Sequence, residues 1–216
     1  MTNDEILQRT ADHVRQVFQD DSSGHDWWHV HRVWRMALRL AQQEGGDPFV
    51  VALAALLHDL DDWKLQPSGD GGPVQAEAWL RELAVAPEVR AHVCAIITHL
   101  SFKGAGVENR IDTLEGRVVQ DADRLDAIGA IGIARAFAYG GSRGRAMHDP
   151  EQAPVLHGTF EQYQRSQGTT VNHFHEKLLL LKARLNTAAA KRLAEERHAC
   201  MEGFLEQFLA EWDGRR

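Results

Sequence analysis

The 216-residue chain is 44% apolar and 25% charged with a formal net charge of −7, values that exclude disordered and fibrous classes and the basic footprint of a nucleic-acid backbone binder. Its two cysteines, Cys94 and Cys200, form no disulfide framework and have no zinc-like spacing, which fits a reducing compartment. No apolar run approaches the roughly 18 residues of a membrane span, and the longest, Phe49 to Leu57, has the length of a core element.

Apolar residues recur at helical spacing nearly throughout, and period-two alternation is almost absent, so the expected class is all-α. The polar, acidic start MTNDEILQRT lacks the basic and apolar regions of an export leader, and the expected location is cytoplasmic. A first amphipathic helix is predicted over Asn3 to Phe18, with a turn cluster at Asp20 to Gly24. The second, from about Asp26 to Glu44, carries Val30, Val33, Trp34, Ala37, Leu38 and Ala41 on one side and ends at Gly45-Gly46. Asp47-Pro48 opens a third, with a capping side chain and then proline at the first helical position. That helix (FVVALAALLHDL) is apolar nearly all round, so it should be central and buried. A loop at Pro67 to Pro73 and helices of roughly Val74 to Leu83 and Pro87 to Leu100 follow. Thr113 is expected to cap one long helix through Val118, Leu125, Ile128 and Ile131 to about Ala138. Gly140 to Gly158, with four glycines and two prolines, is the one long irregular segment. Such loops tend to be functional or mobile, and it is the expected lid, whose deletion should raise KM or slow turnover. The tail from about Thr170 to Trp212 reads as two helices joined near Asn186-Thr187.

His58-Asp59 ends the most apolar helix. A buried, ionised carboxylate without a partner is too costly to persist, so Asp59 must pair, protonate or bind a cation. By itself the doublet is explained by an aspartate paired with its neighbouring histidine at a helix end that reaches solvent. Two further residues change the balance. His29 lies early on the second helix, in His-x-x-Arg-Val, and Asp123 sits mid-helix in Ala-Asp-Arg-Leu after Val118 and Val119. Two imidazoles and two carboxylates from three helices form a mixed set that a divalent metal can use. They neutralise a 2+ ion and leave positions open for water or substrate.

The order His29 … His58-Asp59 … Asp123 resembles the H…HD…D signature of the HD-domain superfamily of metal-dependent phosphohydrolases. The similarity is closest to small bacterial single-domain members, some of which are nucleotide pyrophosphohydrolases. That subgroup carries Gly-His-Asp-Trp-x-His-x-x-Arg-Val, present at Gly24 to Val33, an Asp-x-Lys after the doublet (Asp62, Lys64), and Gln-Asp-Ala-Asp-Arg-Leu-Asp at Gln120 to Asp126. A C-terminal helix like HFHEKLLLLKARLNT completes the match, so the resemblance covers most of the chain. It implies a single all-α HD domain over 1–216 with eight to ten helices, a metal-site core at about 24–140 and C-terminal helices at about 158–213 packing on it.

By the same resemblance, His29, His58, Asp59 and Asp123 hold one divalent ion, manganese or magnesium foremost, with iron, nickel, cobalt or zinc as alternatives. Asp123 is preferred to Asp126 because its register matches the family's last ligand; Asp126 would orient a ligand histidine, or else pair with Arg124 or a basic neighbour. Asp62 stands where related nucleotidases carry a catalytic acid and would orient or deprotonate the attacking water, with a turn or capping role equally open. Lys64 would contact phosphate or lie over Trp63, and Lys177 would reach a polyphosphate or remain solvated. His25 would touch substrate or support a ligand, and Asp26 would cap the second helix. His99 would lie near the phosphates. His92 and His99 share a helix face and invite a second metal, which is the lesser reading, with His92 expected at the surface. Arg32 and Arg124 are expected as structural partners. Trp27, Trp28 and Trp34 are expected as packing residues rather than a base-stacking platform.

The implied activity is hydrolysis of (deoxy)nucleoside triphosphates with release of pyrophosphate. The alternatives are a 5′-nucleotidase or other phosphomonoesterase using the same metal site, and a non-catalytic nucleotide-binding HD protein. The implied partner is a small nucleotide, with neither nucleic-acid polymer nor membrane.

Overall fold

The computed structural model describes residues 1–19, 26–61, 73–100, 111–159, 161–162 and 168–216. Among the described residues it holds nine α-helices, two 3-10 turns and no strand, the all-α class expected. The described residues divide into two compact units, one up to Ala122 and the other from Asp123 onward. The predicted turn at Asp20 to Gly24 and nearly all of the Pro67 to Pro73 loop lie outside the described residues. No described helix is long and apolar enough to cross a membrane.

The first unit is built on well-marked helix ends. Thr2 opens α1 (Asn3–Val17) with a capping box, its hydroxyl accepting from the Glu5 N–H at 3.2 Å while Glu5 accepts from the Thr2 N–H at 2.7 Å. Asp26 caps α2 (Trp27–Glu44), and Gly45 and Gly46 end it with φ of 96° and 98°, a region open to glycine. Asp47 accepts from the Phe49 N–H at 2.8 Å, with Pro48 in the first turn of α3 (Pro48–Leu57). Every residue from Val50 to Leu57 is buried, and α3 packs against α1, α2 and the later α5 (Pro87–Leu100). A helix apolar on all sides has no face to offer water, so it takes the centre.

Between them, α4 (Val74–Glu82) has no side-chain cap from Pro73. Its cap comes from Asp61, whose two carboxylate oxygens accept from the Gln75 and Ala76 N–H groups, each at 3.0 Å. The Gln75 amide donates in return to the Leu60 carbonyl at 3.1 Å. An acid here satisfies orphan N–H groups and complements the helix dipole. Asp61→Ala is therefore expected to destabilise the protein by about 1–2 kcal/mol, read as a lower urea midpoint at unchanged slope; a midpoint equal to wild type would leave the cap without energetic weight.

α1 and α4 are tied by Trp79, whose indole N–H donates to the Thr10 hydroxyl at 3.1 Å, while that hydroxyl donates to the Ile6 carbonyl at 2.8 Å. His13 stacks flat on Trp79, with ring centroids 3.9 Å apart. Burial pushes its imidazole below the ordinary value of 6.5, against a smaller upward pull from Glu82. The folded state thus favours the neutral ring, so this contribution is complete above the unfolded value and fades as pH falls through the lowered folded one. His31 follows the same direction through burial and the nearby Arg35 and Arg32. Thermal melts from about pH 8 to 5, across the ordinary histidine range, should show the wild-type midpoint falling more steeply than that of His13→Gln. Parallel curves would contradict the assignment.

One predicted helix is two. α6 (Leu114–Asp126) starts as expected, with the Thr113 hydroxyl accepting from the Gly116 N–H at 3.2 Å. It stops at Asp126 rather than about Ala138. Ile128 is extended, Gly129 has φ of 77°, and α7 (Gly129–Ser142) begins anew. A Cβ on Gly132 would lie 2.2 Å from the Ala127 carbonyl oxygen, so α7 lies against this corner at a distance only glycine allows. At the end of α6 the Leu125 carbonyl accepts from the Ile128 N–H at 3.3 Å and from Arg197.

The tail also differs from its prediction. α8 (Thr170–Glu176) is capped by Thr169 and breaks at Lys177 into 3-10 turns at Leu178–Leu180 and Lys182–Arg184; then Thr187 caps α9 (Ala188–Trp212). Four consecutive leucines would spread around an α-helix. The tighter turn, with three residues per turn, aligns Leu178 with Leu181, and both are buried. Phe137 of α7, Phe174 of α8, and Phe204 and Phe208 of α9 form an aromatic cluster with centroids 5.7–6.1 Å apart.

The predicted irregular segment is helical to Ser142. Beyond that it is strapped to α8. The Ala146 and Met147 carbonyls accept from the Thr170 and Val171 N–H groups, the Gln152 carbonyl accepts from Asn172, and the Val155 N–H donates to buried Glu176 at 2.9 Å. These bonds tie the expected lid segment to α8.

Candidate metal centre

Two helix ends meet in the first unit. His29 stands in the first turn of α2, where its N–H donates to Asp26 at 2.9 Å, so the cap that starts the helix also fixes this backbone. His58 and Asp59 follow the last residue of α3, with His58 still in helical conformation. All three are buried: His29 is 1% exposed, Asp59 5% and His58 8%.

The His29 Nε2 lies 3.2 Å from the His58 Nε2 and 3.2 Å from the Asp59 Oδ2, and the His58 Nε2 lies 3.4 Å from the Asp59 Oδ1. Three potential ligand atoms therefore converge, the only such group among the described residues. The His58 Nδ1 lies 2.8 Å from the Ala55 carbonyl oxygen. A carbonyl only accepts, so Nδ1 donates to it, and Nε2 is the ring atom turned toward the group.

The donor set fits a divalent cation. Metal–ligand bonds of about 2.0–2.2 Å put neighbouring donors roughly 3–3.5 Å apart, which matches the separation of the two histidine nitrogens and the approach of one Asp59 oxygen to each of them. Two imidazoles and a carboxylate are also the mixed nitrogen and oxygen donors such ions accept. A divalent metal is what the resemblance implies, and these residues could hold it.

Of the other expected site residues, His25, Asp62 and Lys64 lie outside the described residues. Asp123 is half-buried on α6 and belongs to the second unit, whereas the three-donor group is contained in the first. Buried Asp126 accepts from Arg135 at 3.0 Å, a basic partner nine residues on, across the α6–α7 break. Arg124 donates to the Arg184 carbonyl, a structural role as expected. Lys177 stands half-buried at the C-terminal end of α8.

His99 is exposed near the end of α5, and neither it nor His92 joins the donor group. His92 is not a free surface residue. It is half-buried, 3.8 Å from Glu115, whose other oxygen accepts from the Asp47 N–H at 2.9 Å. Buried Gln120 donates to the His99 and Leu100 carbonyls at 3.4 and 3.3 Å, satisfying the end of α5. The residue missed in the sequence is Asp61. It secures the chain immediately after the doublet, and its only sequence signal was an acid two places beyond Asp59.

Comparison with known proteins gives a consistent result. The HD domain family model matches residues 27–128, which include the donor group and Asp123. The chain is 40% identical over 195 residues to the uncharacterized protein YpgQ of Bacillus subtilis, covering 90% of this chain and 87% of that protein. A crystal structure from Lactobacillus plantarum superimposes with a TM-score of 0.88 at 42% identity, covering 99% of this chain and 100% of that one. An HD-superfamily hydrolase from Bacillus thuringiensis gives 0.73 at 44% identity, covering 98% and 99%. YpgQ in complex with ADP gives 0.72 at 39% identity, covering 93% and 96%. With the family pattern over the metal centre and such relatives over nearly the whole length, the chain belongs to the HD-domain superfamily of hydrolases.

Proposed function

We propose that this protein is a metal-dependent phosphohydrolase that cleaves (deoxy)nucleoside triphosphates to the monophosphate and pyrophosphate, with His29, His58, Asp59 and Asp123 holding one divalent ion, manganese or magnesium foremost. The observation that carries this reading is the buried convergence of His29, His58 and Asp59, with the His58 tautomer set by Ala55. A nucleotide ligand is supported by the ADP complex of YpgQ. When bound, the ion would supply Lewis acidity, lowering the pKa of water and offsetting phosphoryl charge. Asp62 takes a proton from the attacking water, whose oxygen bonds to the α-phosphorus as the bond to the bridging oxygen of the β-phosphate breaks. Lys64 and Lys177 hold the distal phosphates, while His25, His99 and Asp126 orient substrate or the metal-binding side chains. Phosphoryl transfer asks mainly for positioning and charge stabilisation, which so small a set can provide. The proposed setting is the cytoplasm, in keeping with two free cysteines.

A screen of nucleoside mono-, di- and triphosphates against several divalent ions, with product identification, tests this reading. Pyrophosphate from triphosphates is expected. Orthophosphate would favour a phosphomonoesterase, and nucleotide binding without turnover would make the protein a sensor.

A further inference from the structure

A cleft of about 490 Å³ opens between the C-terminal end of α1 and the start of α2 in the first unit. Its aromatic wall is Phe18, Trp27 and Trp28, and its polar wall includes Asp12, Arg15 and Gln16. The tryptophans were expected as packing residues, yet Trp28 is 56% exposed, while Phe18 beneath is 5% exposed and fixed in the core. The volume is in the range of small-molecule pockets, which pair aromatic lining with a few polar groups. Arg15 forms no ion pair among the described residues, which leaves its guanidinium for a ligand.

We propose that this cleft binds a planar nitrogenous ring, the base of the nucleotide substrate, with the ring against the indole of Trp28 and its polar edge toward Arg15 and Gln16. Every base has a face to stack and edges that accept and donate hydrogen bonds, so an indole beside a guanidinium and an amide suits it. Trp27 and Trp28 immediately precede His29 on α2. A base seated there stands on the same first helical turn as His29. The ligand class rests on the nucleotide reading above; the cleft itself does not.

Calorimetric titration of the full-length protein with adenosine, guanosine and cytidine, which carry no phosphate, separates the two. The cleft should bind at least one of them, and Trp28→Ala should weaken that binding about tenfold to hundredfold, the range found for base–aromatic stacking. Trp28→Phe should restore most of it. Because Trp28 is largely exposed, the alanine variant is expected to fold. In parallel, the preference for a nucleoside triphosphate over inorganic tripolyphosphate, taken as a ratio of kcat/KM, should fall about tenfold in Trp28→Ala and in Arg15→Ala. Nucleoside binding lost in Trp28→Ala, in a protein that hydrolyses no nucleotide, would uphold the cleft and sink the hydrolase reading. Nucleotide hydrolysis whose preference is unmoved by both variants, with nucleoside binding absent or unaltered, would overturn the cleft alone.

Discussion

His58→Ala is expected to lose its metal and, with it, at least about 10³-fold in hydrolysis, since water acidified from a pKa of 15.7 to about 7 is what the ion would supply. The His58 ring, like that of His29, faces both other donors with its Nε2, at 3.2 and 3.4 Å. Its Nδ1–H is held by the Ala55 carbonyl, so the ring cannot be replaced by a neighbour without rebuilding the end of α3. Truncating this buried ring removes its contacts to Ala55, His29 and Asp59 together, so circular dichroism should confirm that the variant remains folded. Elemental analysis should find wild type with about one divalent ion per chain and the variant with far less. Metal-stripped wild type should behave like the variant and regain activity when the ion is returned. Asp59→Asn, which keeps the shape of the carboxylate and removes its charge, should show the same pattern. If His58→Ala retains both metal and turnover, the centre lies elsewhere.

Gly132→Ala is expected to be the most disruptive small substitution, at about 3 kcal/mol, the upper range for overpacking. The added methyl would lie 2.2 Å from the Ala127 carbonyl oxygen, and this neighbour is backbone at a corner already committed to a positive φ at Gly129. No side chain can swing aside. Relief requires α7 to shift, which disturbs Phe137 in its aromatic cluster. A control exists at Gly141, also on α7, where a Cβ meets nothing within 4 Å. Gly141→Ala should be neutral or slightly stabilising, because alanine outranks glycine in a helix by about 1 kcal/mol. Urea unfolding of the two variants side by side checks this, and equal midpoints would contradict the clash.

The sequence was most legible where chemistry marks an end. Asp26, Asp47 and Thr113 are side-chain caps that accept the N–H bonds their types suggest, and α3 takes the centre because its composition leaves no alternative. The three-donor group was legible for a related reason: charged residues after a fully apolar run need a partner. The break between α6 and α7 was hidden because Leu125, Ile128 and Ile131 keep helical spacing straight through it, and nothing but Gly129 marks the corner. Asp126 consequently found Arg135, a partner that continuous helical spacing would not select. The break at Lys177 was hidden for the opposite reason. Every residue of KLLLLK suits an α-helix singly, and only the burial of Leu178 with Leu181 selects the tighter coil. Asp61 escaped notice among adjacent aspartates, because its role is defined by a helix that begins thirteen residues later.

Five of the six tryptophans precede Ala122, so Trp212 is the single indole of the second unit. It stacks on Phe208 at 5.8 Å and meets the edge of His148 at 5.0 Å. An asymmetric setting of this kind gives a ring its own near-ultraviolet circular dichroism. With the other five replaced by phenylalanine, that signal would follow the melting of this half of the chain alone, against the far-ultraviolet signal of every helix. The molecule therefore carries a built-in optical gauge of whether its two halves come apart together or in sequence.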